Sequence, residues 1–324
     1  MMIDEFQMHR ALQLASLGLG IVQPNPLVGA VIIHNEQIIG EGFHRKYGGP
    51  HAEVNAINAV ENQELLKEST LYVNLEPCSH YGKTPPCVSL IIEKKIQKVV
   101  VGIRDPNEKV NGKGIRALQE AGIEVIENVL QDECLHLNRR FITFHTKKRP
   151  YIILKWAQTK NGFMDILRTD AARNTPYWIT NESLRVWTHK LRNEEQAILI
   201  GYNTLKNDSP QLTNRLYGTN QPLRLVLCDE RKPEIIDGSF LFLTGNINEI
   251  LNQLYEQNIQ SLIVEGGKKT LQKFLEADVW DEVFILAGNV EWECGIKAPE
   301  MPYNSDKKIN IDRETIYHYI KKKG

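Results

Sequence analysis

The sequence predicts an α/β protein with two domains, and three observations support this. The chain has 324 residues, and a single hydrophobic core seldom grows beyond about 250–300 residues. Strand-like apolar runs alternate with helix-like segments in both halves. A polar, basic stretch at 145–150 (HTKKRP) ends in proline and separates the halves. We therefore expect one domain over 1–146 and a second over 150–324.

In the first half, an amphipathic pattern predicts an N-terminal helix whose apolar stripe includes Met8, Ala11, Leu12 and Ala15. Apolar, β-branched runs predict strands at 28–33, 38–43, 70–77, 98–103 and 123–128. Helix-period segments predict helices at 52–60, 85–95 and 113–121.

In the second half, the same criteria predict strands at 151–158, 197–201, 223–228, 240–244, 261–267 (running into a glycine pair) and 283–288. Helices are expected at 181–192 and 268–276. The two halves do not resemble each other, and no internal repeat or low-complexity segment is visible.

Charge and composition exclude several protein classes. The net charge is -1 and the pI is about 6.8, which argues against the basic surface of a nucleic-acid-binding protein. No apolar run approaches the roughly 18 residues of a membrane helix. Asp4 and Glu5 precede any basic residue, unlike the start of a signal peptide. Five scattered cysteines do not form a disulfide framework. We expect a cytoplasmic protein without nucleic-acid or membrane partners.

The stretch PHAEV pairs His51 with Glu53 at the start of a predicted helix. Glu53 could simply favour the positive end of that helix. Alternatively, His51 could bind a metal together with Cys78, which follows a strand, and Cys87, which opens a helix. One His and two Cys supply three of the four tetrahedral ligands of zinc and leave a position for water. Glu53 would then move a proton from that water to a leaving nitrogen.

The spacing of the cysteines departs from the common zinc-deaminase pattern. That pattern is H-x-E followed by P-C-x-x-C, whereas eight residues separate Cys78 from Cys87 here. From the residues alone, two other interpretations stay open. His80 could complete a closed structural zinc site, or the two cysteines could be unrelated buried thiols.

Several motifs occur together in the first half: PNPLVG at 24–29, PHAEV at 50–54, EPCSHYGKTPPC at 76–87, DPN at 105–107 and GKG at 112–114. Up to about residue 145, the chain resembles the deaminase half of the bifunctional deaminase–reductases of riboflavin biosynthesis. The resemblance implies a cytidine-deaminase-like three-layer domain with one zinc ion, held by His51, Cys78 and Cys87, and Glu53 as proton shuttle. It further implies a substrate pocket lined by Asn25, His44, His80, Lys83 and Thr84.

The best candidate for phosphate binding in the second half is VEGGKKT at 264–270. There is no G-x-G-x-x-G after a strand, so the Rossmann fingerprint is missing. Two glycines after a predicted strand allow close approach of a phosphate to the following helix N-terminus. Lys268 and Lys269 would suit the additional phosphate of NADPH. Alternatively, the glycines could make a tight turn that packs the helix on the strand.

Four further motifs, KWAQTKNG, WIT, AILIGYNTLKNDSPQLTNR and VEGG, resemble the reductase half of the same family. The resemblance implies a domain similar to dihydrofolate reductase that uses NADPH. The implied cofactor contacts are Ala157, Trp178, Thr204, Asp208, Gly267, Lys268, Lys269 and Thr270. The implied substrate contacts are Arg192, Leu212, Arg215 and Glu265.

Three positions depart from the family pattern. Asn161 stands where the family has Asp, Ser209 replaces the second Asp of D-D-P, and Pro176 stands near the usual position of a Ser. The Asn161 change is neutral if this residue caps a turn, which Asn does well. The departures leave open a deaminase with an inactive reductase domain.

Taken together, the motifs predict zinc-dependent deamination of a phosphoribosylated diaminopyrimidine, followed by NADPH-dependent reduction of its ribosyl group to ribityl. The family resemblance also implies a homo-oligomer, either a dimer or a tetramer. A nucleic-acid deaminase and a non-catalytic zinc-stabilised binding module are the rival interpretations. We interpret His136, His145, His189 and His318 as surface or packing residues, and Cys134, Cys228 and Cys294 as ordinary thiols.

Overall fold

The computed structural model describes residues 2–81, 85–107, 111–167, 177–228 and 238–322. The chain forms two compact units, Met1–Lys148 and Arg149–Gly324. Each unit has its own sheet and its own hydrophobic core. No helix within these described ranges is both long enough and apolar enough to cross a membrane.

The first unit contains five strands and six α-helices in its described residues, besides a 3₁₀ helix at Gln63–Glu68. The strands are β1 (Gly29–His34), β2 (Gln37–Phe43), β3 (Thr70–Leu75), β4 (Lys98–Ile103) and β5 (Glu124–Ile126). The helices are α1 (Met2–Ser16), α2 (Ala52–Asn58), α3 (Cys87–Glu93), α4 (Lys113–Glu120), α5 (Gln131–Leu137) and α6 (Arg139–Lys147).

These elements form a three-layer sandwich around a sheet of order β2-β1-β3-β4-β5. Strand β1 is antiparallel to β2 and β3, whereas β3, β4 and β5 run parallel. Successive side chains of a strand point to opposite faces. Ile32 therefore packs in the cluster that contains α2, α3 and α4, and its neighbour Val31 packs in the cluster that contains α1 and α5.

The end of the first unit differs from the sequence-based expectation. Helix α6 extends to Lys147, so the first residues of the predicted linker at 145–150 are helical. Phe141 and Phe144 are buried on one side of this helix. Two of the basic residues that suggested a linker, His145 and Lys147, belong to the last turn of this amphipathic helix, where positive charge interacts favourably with the helix dipole.

The second unit contains ten strands and four helices in its described residues. The strands are β6 (Tyr151–Gln158), β7 (Phe163–Asp165), β8 (Ala197–Gly201), β9 (Leu223–Leu227), β10 (Leu241–Leu243), β11 (Ser261–Val264), β12 (Glu282–Ala287), β13 (Ile296–Lys297), β14 (Lys307–Ile311) and β15 (Glu314–Ile320). The helices are α7 (Glu182–Glu194), α8 (Tyr202–Asp208), α9 (Ile247–Glu256) and α10 (Lys268–Glu276).

Eight strands form one sheet of order β10-β9-β8-β11-β6-β12-β15-β14, while β7 and β13 pair separately. The pairs from β10 to β12 are parallel, and the last two pairs are antiparallel. Helices α9 and α10 cover one face, and α7 and α8 cover the other. Carboxyl ends of parallel strands meet at one edge of a sheet, where ligands bind in open α/β folds. This edge brings together Lys155, Gly201 and Glu265.

Candidate active sites

In the first unit, three elements bring His51, Cys78 and Cys87 together. His51 is the N-cap residue of α2, Cys78 lies just after β3, and Cys87 is the first residue of α3. Nδ1 of His51 lies 3.5 Å from Sγ of Cys78 and 3.3 Å from Sγ of Cys87. All three donor atoms lie within 4.8 Å of one another. The two cysteines therefore lie close together in the fold despite their long spacing in the sequence.

The donor set and its spacing fit a zinc ion. Zinc binds sulfur at about 2.3 Å and imidazole nitrogen at about 2.0–2.1 Å, and a tetrahedral arrangement places such donors roughly 3.5 Å apart. The nitrogen–sulfur distances of 3.3 and 3.5 Å agree with this value. The backbone N–H of Cys87 donates a hydrogen bond to Sγ of Cys78, which favours the thiolate form that metals require.

The closed zinc site with His80 is not supported by the geometry. His80 is exposed and lies outside the group of three donors. Within the part of the chain that the structure describes, no fourth His, Cys, Asp or Glu completes this group. A zinc ion held by these residues would therefore have an open coordination position, as in catalytic zinc sites.

Glu53 lies beside the donor group on the first turn of α2 and is only 3% exposed. Its burial, together with the nearby Cys78 sulfur, raises the pKa of Glu53 to about 7. A carboxyl group with a pKa near the working pH can both accept and donate a proton. The predicted role of Glu53 as a proton shuttle, rather than as a ligand, fits this environment.

Two of the predicted substrate residues lie next to the donor group. His44 is buried, and its ring lies edge-to-face with that of His51, with 5.5 Å between the ring centroids. Nδ1 of His44 donates to the carbonyl of Pro50, and Nε2 accepts from the Asn25 carboxamide, at 3.0 and 2.9 Å. Lys83 and Thr84, which were also predicted here, lie outside the described residues.

Sequence reasoning missed the role of Glu76, which lies two residues before Cys78. Its buried carboxylate accepts four backbone hydrogen bonds, from the N–H groups of Asp105, Gly112, Gly114 and Ile115. Glu76 therefore caps the start of α4 from a distant part of the chain. The DPN and GKG motifs thus serve to hold the segment that leads to Cys78.

The second unit contains two adjoining pockets of about 480 and 700 Å³ at the carboxyl edge of its sheet. These volumes are typical of sites for small molecules and cofactors. Thr204, Asp208, Gly267 and Lys268 line both pockets. The first pocket is also lined by Ala157, Trp178, Arg192, Leu212, Arg215 and Glu265. The second is also lined by Lys269 and Thr270. The structure therefore brings all twelve predicted reductase residues to one cleft.

A buried ion pair forms the floor of the first pocket. The Arg192 guanidinium donates two hydrogen bonds to Glu265, with Nε 3.2 Å from Oε1 and Nη2 2.7 Å from Oε2. Nζ of Lys155 lies 3.8 Å from the same carboxylate. Burial alone would raise the pKa of Glu265, but Arg192 and Lys155 lower it to about 2. One carboxylate faces two cations, so this site has an excess of positive charge.

The geometry of the VEGG turn is compatible with both of the roles considered for it. A side chain at Gly266 would approach the Gly201 nitrogen and the Thr270 Cβ to 2.9 Å, so glycine permits close packing of the helix on the strand. The Gly267 N–H donates to Oγ1 of Thr204 at 2.9 Å, and Gly267 is the N-cap residue of α10. The start of this helix faces the second pocket, where anions are favoured.

His189 and Lys155 were not predicted as site residues, yet both line the first pocket. The interpretation of His189 as a surface or packing residue was therefore incomplete. His189 is only 4% exposed, and its Nδ1 accepts a hydrogen bond from the Arg215 N–H at 3.1 Å. The spacing of His189 and Arg192, three residues apart on one helix, could have indicated that both face the same site.

The departures from the family pattern have different structural consequences. Asn161 lines neither pocket; its Nδ2 donates to the Trp292 carbonyl at 2.7 Å, and its Oδ1 accepts from Oγ1 of Thr159 at 2.7 Å. Ser209 is the C-cap residue of α8, directly after the pocket residue Asp208. Pro176 lies outside the described residues. Asn161 therefore stabilises a turn, the role in which an Asp-to-Asn change is neutral.

Comparisons with protein families agree with this division of the chain. Residues 1–103 match the cytidine and deoxycytidylate deaminase zinc-binding region. Residues 150–289 match the RibD C-terminal domain. The predicted fold class, a cytidine-deaminase-like domain followed by a reductase domain with a mixed sheet, is confirmed.

Relatives and solved structures cover nearly the whole chain. The riboflavin biosynthesis protein RibD of Aquifex aeolicus is 41% identical over 314 residues, which cover 88% of this chain and 86% of that protein. The RibD protein of Escherichia coli is 38% identical over 326 residues, which cover 88% of this chain and 87% of that protein. A Thermotoga maritima diaminohydroxyphosphoribosylaminopyrimidine deaminase/5-amino-6-(5-phosphoribosylamino)uracil reductase has a TM-score of 0.87 at 37% identity, over 98% of both chains. The chain therefore belongs to the RibD family of riboflavin biosynthesis proteins, which combine a deaminase and a reductase.

Proposed function

We propose that this enzyme catalyses two consecutive steps of riboflavin biosynthesis. The first is the hydrolytic deamination of 2,5-diamino-6-(5-phosphoribosylamino)pyrimidin-4-one by residues 1–146. The second is the NADPH-dependent reduction of the ribosyl side chain to ribityl by residues 150–324. The observation that supports this most directly is the combination of a His51–Cys78–Cys87 donor group beside buried Glu53 with the positively charged cleft of the second unit.

For the deaminase step, His51, Cys78 and Cys87 would hold zinc. When bound, zinc supplies Lewis-acid activation of a water molecule at neutral pH. Overall, the oxygen of a water molecule would replace the amino group on the ring carbon, and ammonia would leave. Glu53 accepts a proton from the water and returns it to the leaving nitrogen. Its low exposure keeps bulk water from competing for this proton.

The substrate of the first step would be oriented by Asn25, His44, His80, Lys83 and Thr84. Asn25 offers a carboxamide, which can pair with the amide edge of a pyrimidine. The ring of His44 holds that carboxamide in place through the hydrogen bond at 2.9 Å. Lys83 offers a flexible cation for the phosphate of the substrate. Lys83 and Thr84 are assigned from the family resemblance alone.

For the reductase step, NADPH when bound supplies the hydride that adds to C1′ of the ribosyl group. The bond between C1′ and the ring oxygen breaks, and that oxygen takes up a proton to become a hydroxyl group. No protein nucleophile is needed, so the residues act by positioning and charge compensation. Arg192, Arg215, Leu212 and Glu265 would hold the ribosyl phosphate and pyrimidine, since paired guanidinium groups suit phosphate recognition.

The cofactor would occupy the part of the cleft near the start of α10. Ala157, Trp178, Thr204, Asp208 and Gly267–Thr270 would hold it, and the free N–H groups at the start of α10 would suit a phosphate. Lys268 and Lys269 would favour NADPH over NADH by pairing with the additional phosphate. Lys273 also lines this pocket and adds to its positive charge.

The assembly state and the location of the enzyme are also part of the proposal. We propose that it works as a homo-oligomer, a dimer or a tetramer, as the family resemblance implies. We further propose a cytoplasmic location, which fits the use of Cys78 and Cys87 as metal ligands because reducing compartments keep thiols from forming disulfides. Light scattering on purified protein would decide the oligomeric state.

Isotope labelling tests both steps at once. We would incubate the zinc-loaded enzyme with the diaminopyrimidine substrate in oxygen-18 water and with NADPH that carries transferable deuterium. The proposal predicts oxygen-18 on the pyrimidine and deuterium on C1′. Oxygen-18 without deuterium would indicate a deaminase with an inactive reductase domain. If neither label is incorporated, the proposed deamination is wrong, and the reductase step is then tested by adding the deaminated substrate directly.

A further inference from the structure

One face of α7 lines the first pocket, with Arg185, Thr188, His189 and Arg192 turned towards it. His189 and Arg192 lie three residues apart, so they are neighbours on the helix surface. Both also bind the backbone of the segment that follows α8. This segment carries Leu212 and Arg215, which also line the pocket.

Helix α7 donates one of these hydrogen bonds and accepts the other, and the two bonds lie at the ends of the three-residue segment 213–215. Nη1 of Arg192 donates to the Thr213 carbonyl at 3.2 Å. Two residues later, the Arg215 N–H donates to Nδ1 of His189 at 3.1 Å. Because α7 presents a donor at one end and an acceptor at the other, residues 213–215 can bind it in a single register. A shift along the helix would break both hydrogen bonds.

The neighbouring loop is held by other residues of the same helix end. Oδ1 of Asn193 accepts from Nδ2 of Asn214 at 3.0 Å and from the Asn220 N–H at 3.2 Å. Gln221 exchanges hydrogen bonds with the backbone of Asn214 at both its N–H and its carbonyl. The loop is thus fixed on the side away from the pocket, and His189 fixes the backbone at Arg215 itself.

The charges around His189 keep it suited to accept a hydrogen bond. Burial, followed by the positive charges of Arg192 and Arg215, lowers the pKa of His189 to about 4, while a hydrogen bond with the Asn214 side chain and the charge of Glu265 act in the opposite direction. The imidazole is therefore neutral at physiological pH. A neutral ring that accepts at Nδ1 carries its proton at Nε2. An imidazolium ion could not accept the Arg215 N–H.

We propose that His189 is a positioning residue of the reductase site, because it holds the Arg215 backbone so that the Arg215 guanidinium meets the substrate phosphate. This inference rests on the proposed reductase function. His189 acts through Arg215 and not on the reacting atoms. Its loss should therefore weaken substrate binding more than it slows hydride transfer.

Two substitutions separate the hydrogen bond from the bulk of the ring. In H189N, the side-chain oxygen can replace Nδ1 as the acceptor, whereas H189L keeps apolar bulk without an acceptor. With the zinc-loaded full chain, we would measure KM and kcat for reduction of 5-amino-6-(5-phosphoribosylamino)uracil and of its dephosphorylated analogue. Hydrogen exchange at the Arg215 amide and the rate of deamination would be measured in parallel.

We expect H189L to raise KM for the phosphorylated substrate by roughly fivefold to tenfold, as the loss of one hydrogen bond does, with a smaller change in kcat. KM for the dephosphorylated analogue should change little, and H189N should recover most of the loss. Equal effects on both substrates, or no recovery by H189N, would overturn the proposal. If the unaltered enzyme does not oxidise NADPH, the proposed function fails. The Arg215 exchange rate then still decides whether His189 holds this amide.

Discussion

The backbone N–H of Cys87 donates a hydrogen bond to the sulfur of Cys78, with the nitrogen 3.3 Å from the sulfur. The backbone of Cys87 therefore stabilises the Cys78 thiolate, although eight residues separate the two cysteines in the sequence. Pro86 precedes the first turn of α3, where N–H groups have no partner within the helix. One of these groups, the N–H of Cys87, stabilises the sulfur of Cys78.

Replacement of either cysteine should abolish zinc binding. C78S and C87S each remove one of three donors, and a hydroxyl group is a poor substitute for a thiolate towards zinc. We expect less than about a tenth of the normal zinc content by atomic absorption, since ligand loss weakens binding more than the 10–100-fold effect of altered outer residues. The matched control is C294S, which changes an exposed cysteine. Normal zinc content in C87S would contradict the assigned ligand set.

Replacement of Glu53 should separate metal binding from proton transfer. E53Q keeps the shape of the side chain but cannot shuttle a proton, so ammonia release should fall by at least about 100-fold. Zinc content and NADPH-dependent reduction of the deaminated substrate should stay at the level of the unaltered enzyme. A deamination rate within a few fold of normal would show that another group moves the proton.

Replacement of Glu76 should weaken the first unit without touching the donor atoms. In E76Q, one side-chain oxygen becomes an NH₂ group that faces backbone N–H donors, so a pair of hydrogen bonds is lost. We expect a loss of about 1–3 kcal/mol in the stability of this unit, as for other unsatisfied buried groups. Protease sensitivity of residues 1–148 in urea would measure this loss. Equal sensitivity in E76Q and unaltered protein would mean that the four N–H groups find other partners.

The acid stability of the second unit should depend on Glu265. Its folded pKa of about 2 lies below the ordinary value of 4.5. Ionised Glu265 therefore stabilises the fold fully above about pH 4.5, and this contribution is lost as the pH falls towards 2. The difference amounts to about 3 kcal/mol.

Tryptophan fluorescence can follow this loss selectively, since all five tryptophans lie in the second half: Trp156, Trp178, Trp187, Trp280 and Trp292. Urea unfolding would be measured in steps from pH 7 to pH 2.5 for the unaltered protein and for E265Q. The E265Q protein should lose less stability over this range. Parallel pH profiles for the two proteins would contradict the assigned role of the Arg192–Glu265 pair.

The substitution N161D restores the residue that the family pattern has at this position. It tests whether Asn161 in place of Asp affects catalysis. Aspartate cannot donate to the Trp292 carbonyl as Asn161 does, so we expect a stability loss of about 1 kcal/mol. KM for NADPH and for the substrate should stay unchanged, because Asn161 lines neither pocket. A clear change in either KM, measured by steady-state kinetics, would place this residue in the catalytic site.

Much of the fold could be predicted because its strands are strongly apolar and its helices amphipathic. Strands β1, β3, β4, β6 and β8 lie within about two residues of their predicted positions. Helices α5 and α6 and the hairpin of β14 and β15 were not predicted. The burial pattern of β14, for example, is almost fully exposed, so its sequence lacks the apolar signal of a strand.

Site residues could be predicted from the sequence where they form a local motif. Prediction failed where the contacts of a residue lie far along the chain. PHAEV and the two cysteines identified the donor group because each residue stands at the start of a helix or the end of a strand. Glu76 and His189 were missed because their partners are backbone N–H groups far along the chain. Backbone partners leave no residue type to recognise, so only the folded chain reveals such roles.

The most direct test of the whole account is a single assay on zinc-loaded protein. The diaminopyrimidine ribosyl phosphate is added with and without NADPH, while ammonia release and nicotinamide absorbance are followed. We predict ammonia in both cases and NADPH oxidation that begins only after ammonia appears. Absence of ammonia from zinc-loaded protein would contradict the role assigned to His51, Glu53, Cys78 and Cys87, and ammonia without NADPH oxidation would contradict the role assigned to the second unit.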